Sequence, residues 1–126
     1  MTNPHIGALI RELTLPRPYS VNAALAPNYK KAAAYGRWRI AAHQEIMAQG
    51  PRTLIEGPLF IEMIFPAAVC SKAADTDNQA KCILDSLVDM GILRDDNRVI
   101  VPVLLGRWGP GRQTVVRIYE FLGEMY

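Results

Sequence analysis

Residues 75–97 read DTDNQAKCILDSLVDMGILRDDN, and the fold can be worked outward from them. Ala80, Ile83, Leu84, Leu87 and Val88 fall at i, i+3, i+4, i+7 and i+8, which predicts a helix over 76–90 with one apolar face. Asp75 stands where an N-cap belongs and Gly91 where a helix stops. Upstream, Gly57-Pro58 opens LFIEMIF (59–65), in which Leu59, Ile61, Met63 and Phe65 alternate onto one strand face before Pro66 ends it. Downstream, VIVPVLLG (99–106) and TVVRIYEF (114–121) read as two strands joined by RWGPGRQ, a glycine-rich stretch of hairpin length. Pro102 marks the first of that pair as an edge strand or a bulged one. Toward the N-terminus, ALIRELTL (8–15) is a further strand closed by Pro16 and Pro18, and residues 16–28 read as a long loop. Residues 29–49 form a helix, with Tyr35, Trp38, Ala42 and Ile46 near helical spacing and Gly50-Pro51 as the stop. Trp38 belongs to the core by this register. The order β-α-β-α-β-β predicts an α+β fold, a single small domain with a mixed sheet packed by two helices.

The chain has 126 residues, half of them hydrophobic and 21% charged, which suits one folded domain and excludes a disordered chain. No run approaches the ~18 apolar residues of a membrane helix. MTNPHIGALIREL lacks a basic leader followed by an apolar core, so a cytoplasmic location with no membrane partner is expected. Cys70 and Cys82 are too few for a disulfide scaffold and are expected as reduced thiols. With only His5 and His43, far apart in sequence, a structural zinc site is hard to assemble.

A net charge of +2 hides an uneven distribution. Residues 75–96 hold six acids against two bases, and the remaining twelve bases and six acids carry the compensating excess. Arg98 to Arg117 contains four arginines and no acid. An acidic knot in a basic frame suits a protein that holds a polyanion while concentrating cations at one point.

Within the knot, Asp75 and Asp77 sit two apart where a loop enters a helix, and can turn both carboxylates toward one point. Lys81 follows Asp77 by four residues and shares its helix face. A short Gly91–Arg94 reversal can return Asp95-Asp96 alongside. Carboxylates with no histidine or thiolate nearby favour a hard cation, Mg²⁺ or Mn²⁺, over zinc. With a lysine beside it, this set is a chemically complete kit for phosphodiester hydrolysis. Each residue also has a plainer account: an aspartate caps the helix, Asp77 and Lys81 form an exposed pair, and Asp95-Asp96-Asn97 makes a turn. Asp85 and Asp89 are expected to do no more than solvate the outer helix face.

D-x-D-N-x-x-K, then an amphipathic helix with Asp85, then Gly91-Ile92-Leu93 and Asp95-Asp96-x-x-Val99, resembles the RusA-type Holliday junction resolvases. Leu15-Pro16-x-Pro18-x-Ser20-x-Asn22 is similar to the family's N-terminal stretch, and the likeness runs from about residue 13 to 120. The resemblance implies a RusA-like endodeoxyribonuclease of phage or prophage type, serving DNA recombination and repair. It would act as a homodimer that makes paired, symmetric nicks in four-way DNA junctions with Mg²⁺, Mn²⁺ being able to substitute. It makes Asp75, Asp77 and Asp96 the metal-binding carboxylates and Lys81 the catalytic lysine, with Asp95 ranked behind Asp96. A protein that binds branched DNA without cutting it is the alternative. The carboxylate set argues against that, since binding alone gives no reason to face acids toward a polyanion.

The candidate phosphate contacts are Arg17, Lys30, Lys31, Lys72, Arg107 and Arg112, with Arg37 and Arg39 further options. Tyr19 and Asn22, in the first loop, are candidates for backbone or an unstacked base. Cys70-Ser71-Lys72-Ala73-Ala74 carries one base where relatives carry a run of arginines, so weaker and less salt-sensitive binding is expected.

Overall fold

A computed structural model describes residues 5–18, 29–70, 72, 74 and 76–124, with 29–31 and 78 described in backbone only. Tyr19, Asn22 and Asp75, including its N-cap reading, lie outside the described residues, as do the side chains of Lys30 and Lys31. The elements are β1 (Ile6–Leu15), α1 (Tyr29–Ala48), β2 (Leu59–Pro66), a 3-10 turn (Ala67–Val69), α2 (Thr76–Asp89), β3 (Val103–Gly109) and β4 (Thr114–Phe121). They form the small α+β domain that the sequence predicts, in the same order.

The sheet order is β1-β4-β2-β3, with β2 antiparallel to β4 and parallel to β3. This corrects the hairpin expected between the last two strands, because β2 lies between them. The physical reason is burial. Leu59, Ile61, Met63 and Phe65 have no exposed surface, and Phe60 and Ile64 on the other face are also buried. A strand apolar on both faces takes the sheet centre. Residues 110–113 span two strand spacings, roughly 9.5 Å, well within the ~13 Å reach of four extended residues.

The third strand also starts later than residue 99. Asn97 Oδ1 accepts the N–H groups of Val99 and Ile100, and the Asn97 carbonyl accepts that of Val101. Residues 99–101 are thereby held in a turn, and Pro102 lies just ahead of the strand. The expected edge position holds, since among the described residues β3 pairs with β2 alone.

Both helices contribute to one apolar cluster with the sheet. Tyr35, Trp38, Ala42 and Ile46 of α1 and Ala80, Ile83, Leu84 and Leu87 of α2 are buried there with Leu13, Leu15, Val116 and Ile118. Gln49 fastens the end of α1 to β1, accepting from the Thr14 N–H at 2.7 Å and donating to the Thr14 carbonyl at 2.6 Å. The opposite sheet face carries a charge ladder. Arg117 binds Glu12 at 2.8 Å and Glu62 at 3.2 Å, and Arg107 reaches Glu62 at 3.4 Å. Neither Cys70 nor Cys82 is in a disulfide among the described residues. No described helix is long and apolar enough to cross a membrane.

His43 of α1 has Nε2 enclosed, with no hydrogen-bond partner among the described residues. Burial, followed by nearby Arg39, pushes its pKa below the ordinary 6.5. The unfolded chain then binds the proton more readily, so stability present above the ordinary pKa is lost as pH falls through the lowered one. Melting temperature is expected to drop as pH is lowered from about 7 to about 5, and His43→Leu to flatten that slope. An identical slope in the variant would assign the acid sensitivity to other groups.

Candidate active site

The end of α2 determines where the second acidic pair lies. Gly91, at φ +73°, takes the left-handed conformation that glycine adopts without steric cost. Its N–H bonds the Val88 carbonyl at 3.0 Å and the Ile92 N–H bonds Leu87 at 2.9 Å, a Schellman closure with Ile92 buried beneath it. The chain reverses here, and the Ile55 N–H holds the Ile92 carbonyl at 2.8 Å. Asp95-Asp96 is thereby carried back beside α2.

The result is a contact across fifteen residues of sequence. Lys81 Nζ donates to Asp96 Oδ2 at 3.0 Å and lies 3.0 Å from Asp85 Oδ1. Among the described residues its ion pairs are with these two acids, so the exposed Asp77–Lys81 pair is not formed. The hydrogen bond from Lys81 holds the Asp96 carboxyl below its ordinary pKa, and Asp96, then Asp85, raise that of Lys81. At neutral pH the lysine is cationic and Asp96 anionic, the charge states phosphoryl chemistry requires.

Asp95 is occupied differently. Its Oδ1 accepts the Asp96 N–H at 2.7 Å and its Oδ2 accepts from Asn97 Nδ2 at 3.0 Å. The turn reading therefore describes Asp95 and Asn97, and Asp96 is the residue that faces Lys81. Asp77 lies exposed in the first turn of α2, where the helix dipole favours a negative charge.

One expectation is corrected. Asp85 and Asp89 are not mere solvating acids, because Asp85 pairs with Lys81 and Asp89 binds Arg39 of α1 at 2.6 Å. Arg39 is thus paired within the protein while its side chain remains partly exposed. Tyr35, Arg39, Asp85, Asp89, Asp95 and Asp96 line a polar cavity of about 310 Å³ beside the two helices. The signal for Asp85 was present in the sequence as its four-residue spacing from Lys81.

The proposed DNA contacts divide by place. Arg17, after β1, donates to the Val69 carbonyl at 2.7 Å, and Lys72 follows β2. Arg112 lies exposed between β3 and β4. The strand pairings of Leu15 with Thr114 and of Pro66 with Gly109 put all three at the sheet end from which α2 starts. Arg107 is not brought there: it lies in β3, not in a turn, and its side chain pairs with Glu62 on the helix-free face. Trp108, also in β3, packs against Phe65 with ring centroids 5.4 Å apart and faces a cavity of about 240 Å³ beside Lys72 and Cys70.

An all-carboxylate donor set beside a cationic lysine fits a hard divalent ion and no soft one. Among the described residues no three His, Cys, Asp or Glu side chains converge on one point, and Asp75, the third carboxylate of the expected set, lies outside them.

The family model described as endodeoxyribonuclease RusA matches residues 14–119. No curated protein gives a significant match.

Proposed function

Because the chain belongs to the RusA endodeoxyribonuclease family, we propose that it is a divalent-metal-dependent nuclease that resolves four-way DNA junctions. The observation that carries this reading is the 3.0 Å contact between Lys81 and Asp96, which joins the helical half of the acidic motif to the pair that follows the Gly91 reversal. Asp75, Asp77 and Asp96 would hold the ion, Mg²⁺ with Mn²⁺ able to substitute, as their hard oxygen donors suit. Such an ion polarises a phosphoryl oxygen and lowers the pKa of a water for attack in line with the scissile bond.

The chain's own groups supply the rest. The Lys81 ammonium donates to a non-bridging oxygen and steadies the charge that grows there. Arg17, Lys72 and Arg112, at the end of the sheet from which α2 starts, hold flanking phosphates and set the strand's register. Tyr19, Asn22, Lys30 and Lys31 are further contacts on this reading. Two copies of the chain form a homodimer, which offers a four-way junction two equivalent sites for paired, symmetric cuts. The helix-free sheet face supports that assembly: Leu105 is 45% exposed on it, beside the Glu12–Arg117–Glu62–Arg107 ladder.

The test is cleavage of a mobile four-way junction and a matched linear duplex, each with Mg²⁺ or EDTA. Paired nicks in the junction alone, and only with metal, are expected. Unpaired nicks would count against the dimer, and junction binding without cutting would favour a binding protein.

A further inference from the structure

We propose that Asp85 is the positioning residue for Lys81, holding the ammonium at the site when Asp96 is drawn to the cation. This inference rests on the function proposed above and concerns a residue to which that reading gives no task.

Lys81 Nζ lies 3.0 Å from a carboxylate oxygen of Asp85 and 3.0 Å from one of Asp96. These two contacts have different fates once a divalent ion arrives. Asp96 turns part of its charge toward the ion and loosens its hold on Lys81. The ion also repels the ammonium directly. A lysine is a compact charge on a flexible four-carbon stem, so without a second anchor it moves off into solvent. Asp85 provides that anchor from one turn further along the same helix, where the backbone fixes the spacing. Its charge also offsets the repulsion between ammonium and ion.

The neighbouring cation is already committed. Arg39 lines the same cavity as Asp85, yet its guanidinium lies 2.6 Å from Asp89. Asp89 thereby leaves Asp85 to Lys81. An ordinary exposed pair would look similar in isolation, but it would not affect the behaviour of the metal site.

The experiment is a double-mutant cycle on the full chain with Asp85→Asn, Lys81→Met and both together, plus Asp85→Glu. Two quantities are read: Mn²⁺ affinity without DNA by electron paramagnetic resonance, and the single-turnover rate of junction cleavage. With Asp85 neutralised, Asp96 is the one remaining anchor of Lys81, so the ion must displace the ammonium into solvent to take that carboxylate. Mn²⁺ affinity and cleavage rate are each expected to fall about tenfold, the low end for outer-shell partners of metal ligands. Junction affinity in EDTA is expected within about twofold of wild type, because no phosphate contact is lost. Asp85→Glu restores most of both losses. In the Lys81→Met background, Asp85→Asn adds little.

Wild-type Mn²⁺ affinity and rate in Asp85→Asn would overturn the proposal, as would an equal loss with and without Lys81. If the wild-type chain binds Mn²⁺ but cuts nothing, the nuclease reading fails while the Mn²⁺ cycle still decides the role of Asp85.

Discussion

Asp77→Asn is expected to abolish junction cleavage while four-way junctions bind in EDTA as tightly as before or more so. Asp77 is exposed in the first turn of α2 and makes no ion pair among the described residues. Replacing it therefore leaves the fold intact, at a cost of about 0.3–1 kcal/mol for the lost charge at a helix N-terminus. The chemistry has no such margin, because a carboxylate that holds the ion acts as one unit with its neighbours. A drop of about a thousandfold or more in single-turnover rate is the expected scale. Tighter binding would follow from removing a negative charge that faces phosphate. A variant that cuts at the wild-type rate under matched Mg²⁺ would show that the site is assigned to the wrong residues.

Gly106→Val should damage stability and activity together. Gly106 lies in β3, facing the start of α2. A Cβ there would come 2.7 Å from Thr76 Cγ2 and 3.2 Å from Phe65 Cε2. Thr76 can yield only by turning about χ1 against its own helix, and Phe65 is fully buried, so the two valine methyls press the first turn of α2 away from the sheet. Overpacking of this kind costs about 1–3 kcal/mol. Asp77 is the next residue after Thr76, so the displacement carries the acidic site with it. A lower melting temperature with a cleavage loss larger than the unfolded fraction explains is the predicted pair of results. Wild-type values for both would mean that α2 does not pack this closely on β3.

Much of the fold was legible because its signals are local. The helix over 29–49 ends one residue earlier in the structure, the helix over 76–90 becomes Thr76–Asp89, and β4 spans the residues expected. Periodicity records which side of an element meets the core, and Trp38, 5% exposed, follows that rule. Of the candidate site, the contact of Lys81 with Asp96 was foreshadowed by Gly91, which marks the reversal that returns Asp96 beside the helix.

Other features had no local signal. A short glycine-rich link resembles a hairpin whether or not a third strand intervenes, and only the burial demand of β2 puts it between β3 and β4. Arg107 reads as a turn residue until the register with β2 places it in a strand, facing Glu62. Gly106 carries no sequence signature, since its need for a missing side chain arises from Thr76, thirty residues away. Asp85 looked like an outer-face acid because its partner was assigned to Asp77.

By itself the sequence determined the elements, their order, the apolar face of each helix and the acidic motif with its spacing. All of these depend on interactions within a few residues along the chain. The tertiary structure alone decided the strand order, the face on which each arginine lies and the choice of Asp96 and Asp85 as the partners of Lys81. Those outcomes depend on which distant segments share one buried core, a competition that no local pattern records.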